Sequence, residues 1–258
     1  MNPVTFKPRH HCLLAYEPMN RLKPVADDLW IVDGPEIRMR YFGLRLPFTT
    51  RMTVVRLPNG RLWLHSPTEP TSELRREIEE LGPVGFLVSP NRLHTTWLAA
   101  WHHDCPDAAT AGVAAEPAWD GARLQVNIDL GATRPFPWDG TIAQLVVPGS
   151  MFSEAVFFHE PSRTLILTDL IENFELDRIV CAWLRLLLRI TGPLDPNGTA
   201  PPDMRASFRR HRSALRGALA RMRLWAPERI ILAHGRWYQT DGLRELKKAF
   251  AWVGEADR

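Results

Sequence analysis

Short apolar blocks recur along the chain, and their spacing switches between the period of a strand and that of a helix. Residues 29–32, 52–57 and 61–64 read as strands. The last two flank Pro58-Asn59-Gly60, and an Asn-Gly step between apolar runs predicts a hairpin. A helix is expected from Thr71-Ser72-Glu73-Leu74 to Leu81, capped by Thr71 or Ser72 and stopped by Gly82-Pro83. Residues 84–88 read as a buried strand. Over 94–104, Trp97, Ala100 and Trp101 form a helical stripe, and a short strand follows at 109–113.

The second half repeats this alternation. Strands are expected at 142–147, 154–158 and 163–168, the last two joined by the turn His159-Glu160-Pro161-Ser162. A long apolar helix is expected over 176–190, then a loop rich in Pro, Gly and Asn to Pro202. A basic helix over 203–223, a strand at 229–233 and a helix at 242–254 complete the chain. Strands in both halves, with helices between and after them, point to a layered α/β or α+β domain. The Pro-rich segment 135–138 joins two halves of one fold, so the reading is a single domain over 1–258 with a short N-terminal extension to about residue 20.

Composition narrows the class without choosing a function. The 258 residues are 45% apolar and 24% charged, which excludes a disordered or fibrous chain. With 32 basic and 29 acidic side chains the net charge is +3, which demands no acidic partner. No apolar run approaches a membrane span, and the first residues lack a signal-peptide pattern. Cys12, Cys105 and Cys181 are scattered with no CxxC pair, so they read as reduced thiols in a cytoplasmic protein.

Candidate chemistry gathers at the expected strand exits, where layered α/β folds place their sites. His65 and Ser66 follow one strand, Asn91 and His94 another. Glu154 opens a strand, Asp169 closes the next, and His234-Gly235 closes the last. Histidines and carboxylates at the ends of apolar strands are expensive to bury without partners, so they face solvent or converge. For Asp169 the competing role is a turn cap; for His94 and His234, a half-buried or hydrogen-bonded ring. There is no G-x-S-x-G elbow, Walker loop or G-x-G-x-x-G fingerprint.

Several stretches carry a family resemblance. The order of strand, polar turn and helix, then Val147-Pro148-Gly149, Leu165-Ile166-Leu167-Thr168-Asp169-Leu170 and Ala233-His234-Gly235, resembles the metallo-β-lactamase fold. More narrowly, Leu29-Trp30-Ile31-Val32-Asp33-Gly34-Pro35, Leu62-Trp63-Leu64-His65-Ser66-Pro67 and Phe157-Phe158-His159-Glu160-Pro161 resemble a divergent bacterial branch of unknown function, with likeness from about Pro18 to Trp252. The resemblance implies an αββα sandwich of two mixed sheets with helices outside. It also implies a metal-dependent hydrolase, with departures. Pro90-Asn91-Arg92-Leu93-His94-Thr95 takes the place of His-x-His-x-Asp-His, so Pro90, Arg92 and Thr95 replace histidines and His94 replaces the aspartate. Ser150 follows Pro148-Gly149 where a further histidine belongs.

The resemblance therefore leaves His94, Asp169 and His234 for one divalent metal, zinc or iron(II), which would activate water and polarise a carbonyl or phosphoryl group. His65 and Glu154 would orient groups, accept a proton or supply a fourth ligand, and Asn91 would hydrogen-bond substrate or the metal-bound water. The alternative is a metal-free relative that binds a small molecule or a partner protein in the same cleft. His102-His103-Asp104 reads as a solvated helix end, since adjacent helical residues point apart, and His10-His11-Cys12 as part of the N-terminal extension. The arginines of 205–223 include Arg209, Arg210 and Arg212. They accompany an apolar stripe of Met204, Phe208, Leu215 and Leu219, so the segment reads as an amphipathic surface helix and a nucleic-acid partner is not expected. The expected partner is a small-molecule substrate.

Overall fold

The computed structural model describes residues 11–41, 44–113, 125–133 and 135–254. A seven-stranded mixed sheet runs in the order β1 (Lys23–Ala26), β2 (Leu29–Tyr41), β3 (Leu44–Arg56), β4 (Leu62–His65), β5 (Val84–Val88), β6 (Ala109–Gly112) and β7 (Ile128–Asp129). The first four strands pair antiparallel and the rest parallel. The second sheet is β8 (Ile142–Val147), β9 (Glu154–His159), β10 (Thr164–Ile166) and β11 (Arg229–Ile231), antiparallel except for the parallel β10–β11 edge.

Alternation along the strands sorts side chains into layers. In the first sheet Ile31, Val55 and Trp63 face Phe157, Ile166 and Ile231 of the second, forming the core between them. The neighbouring Val32, Val54 and Leu64 face outward onto α1 (Ser72–Leu81) and α2 (Leu98–Asp104). Phe158, Leu165 and Ile230 of the second sheet face outward onto α4 (Pro202–Ser207), α5 (Arg212–Trp225) and α6 (Gly242–Ala249). The result is the expected αββα sandwich. The helix α3 (Ala182–Thr191) stands apart from these layers, packing Leu184 and Leu188 against Leu13, Phe174 and Ile179.

Local expectations hold where capping and turn chemistry decide. Thr71 caps α1, its Oγ1 accepting from the Leu74 N–H at 3.2 Å. Gly60, at φ +80°, closes the β3–β4 hairpin. The stripe of Met204, Phe208, Leu215 and Leu219 is buried as the amphipathic pattern requires.

Four expectations need correction. The helix expected over 176–190 begins only at Ala182. Before it, Ile179 is extended and bridges Leu13, and the Val180 N–H donates to the Cys12 carbonyl. The basic helix breaks into α4, a 3-10 turn at Arg209–His211 and α5, because Ser207 at the break receives the Ser150 and Met151 N–H groups. The stripe over 94–104 is helical only from Leu98, since the Asn91 side chain folds the preceding residues into a turn by accepting from the Leu93 N–H. Finally, Cys12 and Cys181 form a disulfide across 169 residues of sequence, and Cys105 is the free thiol among the described cysteines. Pairing of this kind belongs with oxidising compartments and removes the cysteine argument for a cytoplasmic location. Among the described residues no helix is long and apolar enough to cross a membrane.

His159, at the end of β9, makes the fold pH-sensitive away from any site. Its ring is 1% exposed and shares a 2.7 Å hydrogen bond with Ser162. Burial pushes its pKa down to about 4, against the opposing pull of Asp28. Because the folded value lies below the unfolded one, its contribution to stability is intact above about pH 6.5 and is lost as the pH falls toward 4. The loss is about 3 kcal/mol at most. Urea unfolding at pH 7 and pH 4.5 is expected to show a smaller acid penalty in His159→Gln than in the wild type; equal penalties would remove His159 as the cause.

Candidate metal centre

Three strand exits converge at one end of the sandwich. His94 lies in the turn after β5, where the Ser89 hydroxyl donates to the carbonyls of Asn91 (2.7 Å) and His94 (3.2 Å) and folds the turn on itself. Asp169 follows β10. Its loop is held by Glu154 of β9, whose carboxyl oxygens accept from the N–H groups of Thr168, Asp169 and Leu170 at 2.8, 2.9 and 3.1 Å. His234 follows β11, and Gly235 at φ +83° turns the chain back along Asn173, with which it forms a parallel bridge.

The three side chains meet. Ligand atoms of His94, Asp169 and His234 all lie within 4.8 Å of one another, and no other group of three or more such residues among those described could hold an ion. His94 Nε2 is 3.2 Å from Asp169 Oδ2, and His234 Nε2 is 3.3 Å from Oδ1. The far ring nitrogens are fixed as well, His94 Nδ1 by the Ser66 hydroxyl at 2.6 Å and His234 Nδ1 by the Thr49 carbonyl at 2.6 Å. A carbonyl only accepts, so His234 carries its proton on Nδ1. In the neutral ring Nε2 then presents a lone pair to a carboxylate oxygen. Two acceptors in that arrangement repel unless a cation, either a proton or a metal, lies at the cluster. A donor set of two imidazoles and a carboxylate, with ring orientation fixed from behind, suits a divalent metal.

The electrostatics agree. Burial alone would raise the Asp169 carboxyl, but the His94 and His234 rings hold it well below the usual carboxylate range. Glu154 is pushed up to about 8 by burial and then by Asp169, with its amide donors pulling the other way.

The other expected residues are placed around this centre rather than in it. Asn91 donates to Asp169 Oδ2 at 2.6 Å and to Thr168 Oγ1 at 3.2 Å, so its amide orients the carboxylate. Glu154 points at backbone rather than at the cavity. His65 is 2% exposed, stacks on Trp63 and meets Phe157 edge-on, and neither ring nitrogen has a partner. Burial, and then His94, push its pKa down to about 3, so its ring is neutral near pH 7. His102, His103 and Asp104 form the last turn of α2, where Asp104 pairs with Arg75. His11 is exposed and His10 lies outside the described residues.

Three residues escaped the sequence reading. The Thr49 carbonyl gives no sequence signal. Arg51 is a buried arginine inside a strand, bonded to Asp33 and to the carbonyls of Leu232 (2.5 Å) and Gly235 (2.9 Å). Glu172 carries no distinguishing signal, lying between Asp169 and Glu175 in a segment that alternates acids with apolar residues.

No family model and no curated protein matches the sequence. Solved structures do match in three dimensions. A metallo-β-lactamase from Hirschia baltica superposes with a TM-score of 0.60 at 10% identity, over 92% of this chain and 99% of that one. The mono-zinc form of the metallo-β-lactamase FIM-1 from Pseudomonas aeruginosa gives 0.58 at 12% identity, over 91% and 96%. The flavodiiron core of Flv1 from Synechocystis sp. gives 0.58 at 14%, over 91% of this chain and 61% of that one. With two mixed sheets inside two helical layers, the chain has the metallo-β-lactamase fold.

Proposed function

We propose that the protein is a metal-dependent hydrolase of a divergent bacterial branch of this fold, with a single divalent ion, zinc or iron(II), held by His94, Asp169 and His234. The observation that carries the reading is the pair of Nε2 atoms aimed at one carboxylate while both Nδ1 atoms are bonded elsewhere. A divalent ion there supplies Lewis-acid activation of water and of a carbonyl or phosphoryl oxygen. The chain's own groups do the positioning. Ser66 and the Thr49 carbonyl set the two rings, Asn91 sets the carboxylate, and Glu154 sets the backbone from which that carboxylate projects. His65, neutral and packed between Trp63 and Phe157, belongs to the aromatic core beside the site. Hydrolysis as the reaction class comes from the fold by analogy.

Metal content of untagged protein by mass spectrometry tests the reading. One equivalent of zinc or iron per chain is expected in the wild type, falling at least tenfold in His94→Ala and in His234→Ala. A wild type that holds no metal after reconstitution would overturn it and leave the metal-free binding protein as the better account.

A further inference from the structure

A cavity of about 290 Å³ opens directly beside the triad, with Asp169 and His234 in its wall. Most of its lining is apolar. Leu46 and Phe48 of β3 form one side, and Leu184 and Leu188 of α3 the other. Its charged residues are all acidic apart from the His234 ring: Asp169, Glu172 and Asp203, with no lysine or arginine in the lining.

Glu172 is the telling residue. It is 6% exposed, and its backbone N–H and carbonyl both pair with Thr199, at 3.1 and 3.0 Å. Glu172 lines the cavity, its carboxyl makes no hydrogen bond or ion pair among the described residues, and burial, then Asp169, push its pKa well above the usual carboxylate range. A buried carboxyl left in this state is costly, and a donor arriving with a ligand relieves the cost. An anionic group beside Glu172 would meet a second acidic side chain, Asp203, in a lining that holds no lysine or arginine. The helix that forms one wall also leaves Trp183, Leu186 and Ile190 at the surface, 48%, 59% and 76% exposed, so apolar surface continues from the cavity wall to the outside of α3.

We propose that this cavity takes the apolar chain of an amphiphilic substrate whose adjoining polar group is an ammonium or another N–H donor, and that Glu172 receives that group. The inference rests on the hydrolase reading only for where the reaction occurs. Glu172 touches substrate, so it is a binding residue that sets specificity, distinct from the metal ligands.

The test is titration of n-octylammonium, octanoate and octan-1-ol into the protein as purified and after chelator treatment, followed by calorimetry. The treated sample separates carboxylate binding to a metal from binding in the cavity. Octylammonium is expected to bind at least tenfold tighter than octanoate in the treated protein. Glu172→Gln should weaken octylammonium about tenfold while leaving octan-1-ol unchanged, which also shows that the variant is folded. Equal or tighter binding of octanoate in the treated protein, or no binding of any probe, would overturn the proposal. An unchanged octylammonium affinity in Glu172→Gln would overturn the role of Glu172. Metal in the wild type without amine preference would sink this inference and spare the hydrolase reading; amine preference in a chain that never holds metal would do the reverse.

Discussion

Gly235→Ala is expected to destabilise the protein by about 3 kcal/mol or more, and to abolish the metal binding proposed for His94, Asp169 and His234. Two effects add at this position. The residue sits at φ +83°, where a Cβ is strained in any surroundings. Here the Cβ would also overlap the Asn173 carbonyl, which is main chain and cannot swing aside. Relief requires the strands at 173 and 235 to part, and His234 moves with them. Gly140 supplies the control, because it has φ +82° and open space around its Cβ position. Gly140→Ala should cost only about 1 kcal/mol, the strain alone. Urea midpoints and metal content of the two variants check this; equal effects would mean that the close approach to Asn173 carries no weight.

Arg51→Met is the second large effect. Arg51 is 3% exposed, pairs with Asp33 at 2.7 Å, and reaches from the first sheet to the carbonyls on either side of His234. Removing one partner of a buried ion pair costs about 3–5 kcal/mol, because the other charge stays behind. Lys23, 2.9 Å from the second Asp33 oxygen, moderates that cost. Metal affinity should fall at least tenfold as well, since the guanidinium braces the residues flanking a ligand. Arg51→Lys should not restore affinity, because an ammonium cannot replace the planar fork that spans Asp33 and two carbonyls. Full metal binding in Arg51→Met would show that His234 is placed without this brace.

Much of this was legible from sequence wherever a local rule decides. The Asn59-Gly60 hairpin, the Thr71 cap and the apolar runs of β9 and β10 each follow from neighbours within a few residues. The cluster of His94, Asp169 and His234 was expected through a family resemblance, not through spacing, because Asp169 and His234 lie 65 positions apart and are brought together where β10 pairs with β11. The long β2–β3 hairpin was half visible. Its apolar ends at 29–32 and 52–57 stood out, while Asp33, Arg51 and the threonines between them find their partners only on folding, Asp33 in its own sheet and Arg51 and Thr49 also in the segment after β11. The disulfide and the break before α3 depend on contacts across the whole length of the chain, to which no local pattern points.

The Cys12–Cys181 bond also divides the protein topologically. It closes a covalent ring that contains ten of the eleven described strands and two of the three clustered side chains, His94 and Asp169. Residues 182–254, including α3 and β11, form an open arm laid back over that ring, and the arm delivers His234 through a three-residue parallel edge. Loosening the arm would disassemble the centre and unroof the apolar cavity together while the ring stayed closed. Assembly of the His94–Asp169–His234 cluster and formation of the cavity are in that sense one event, the docking of the arm.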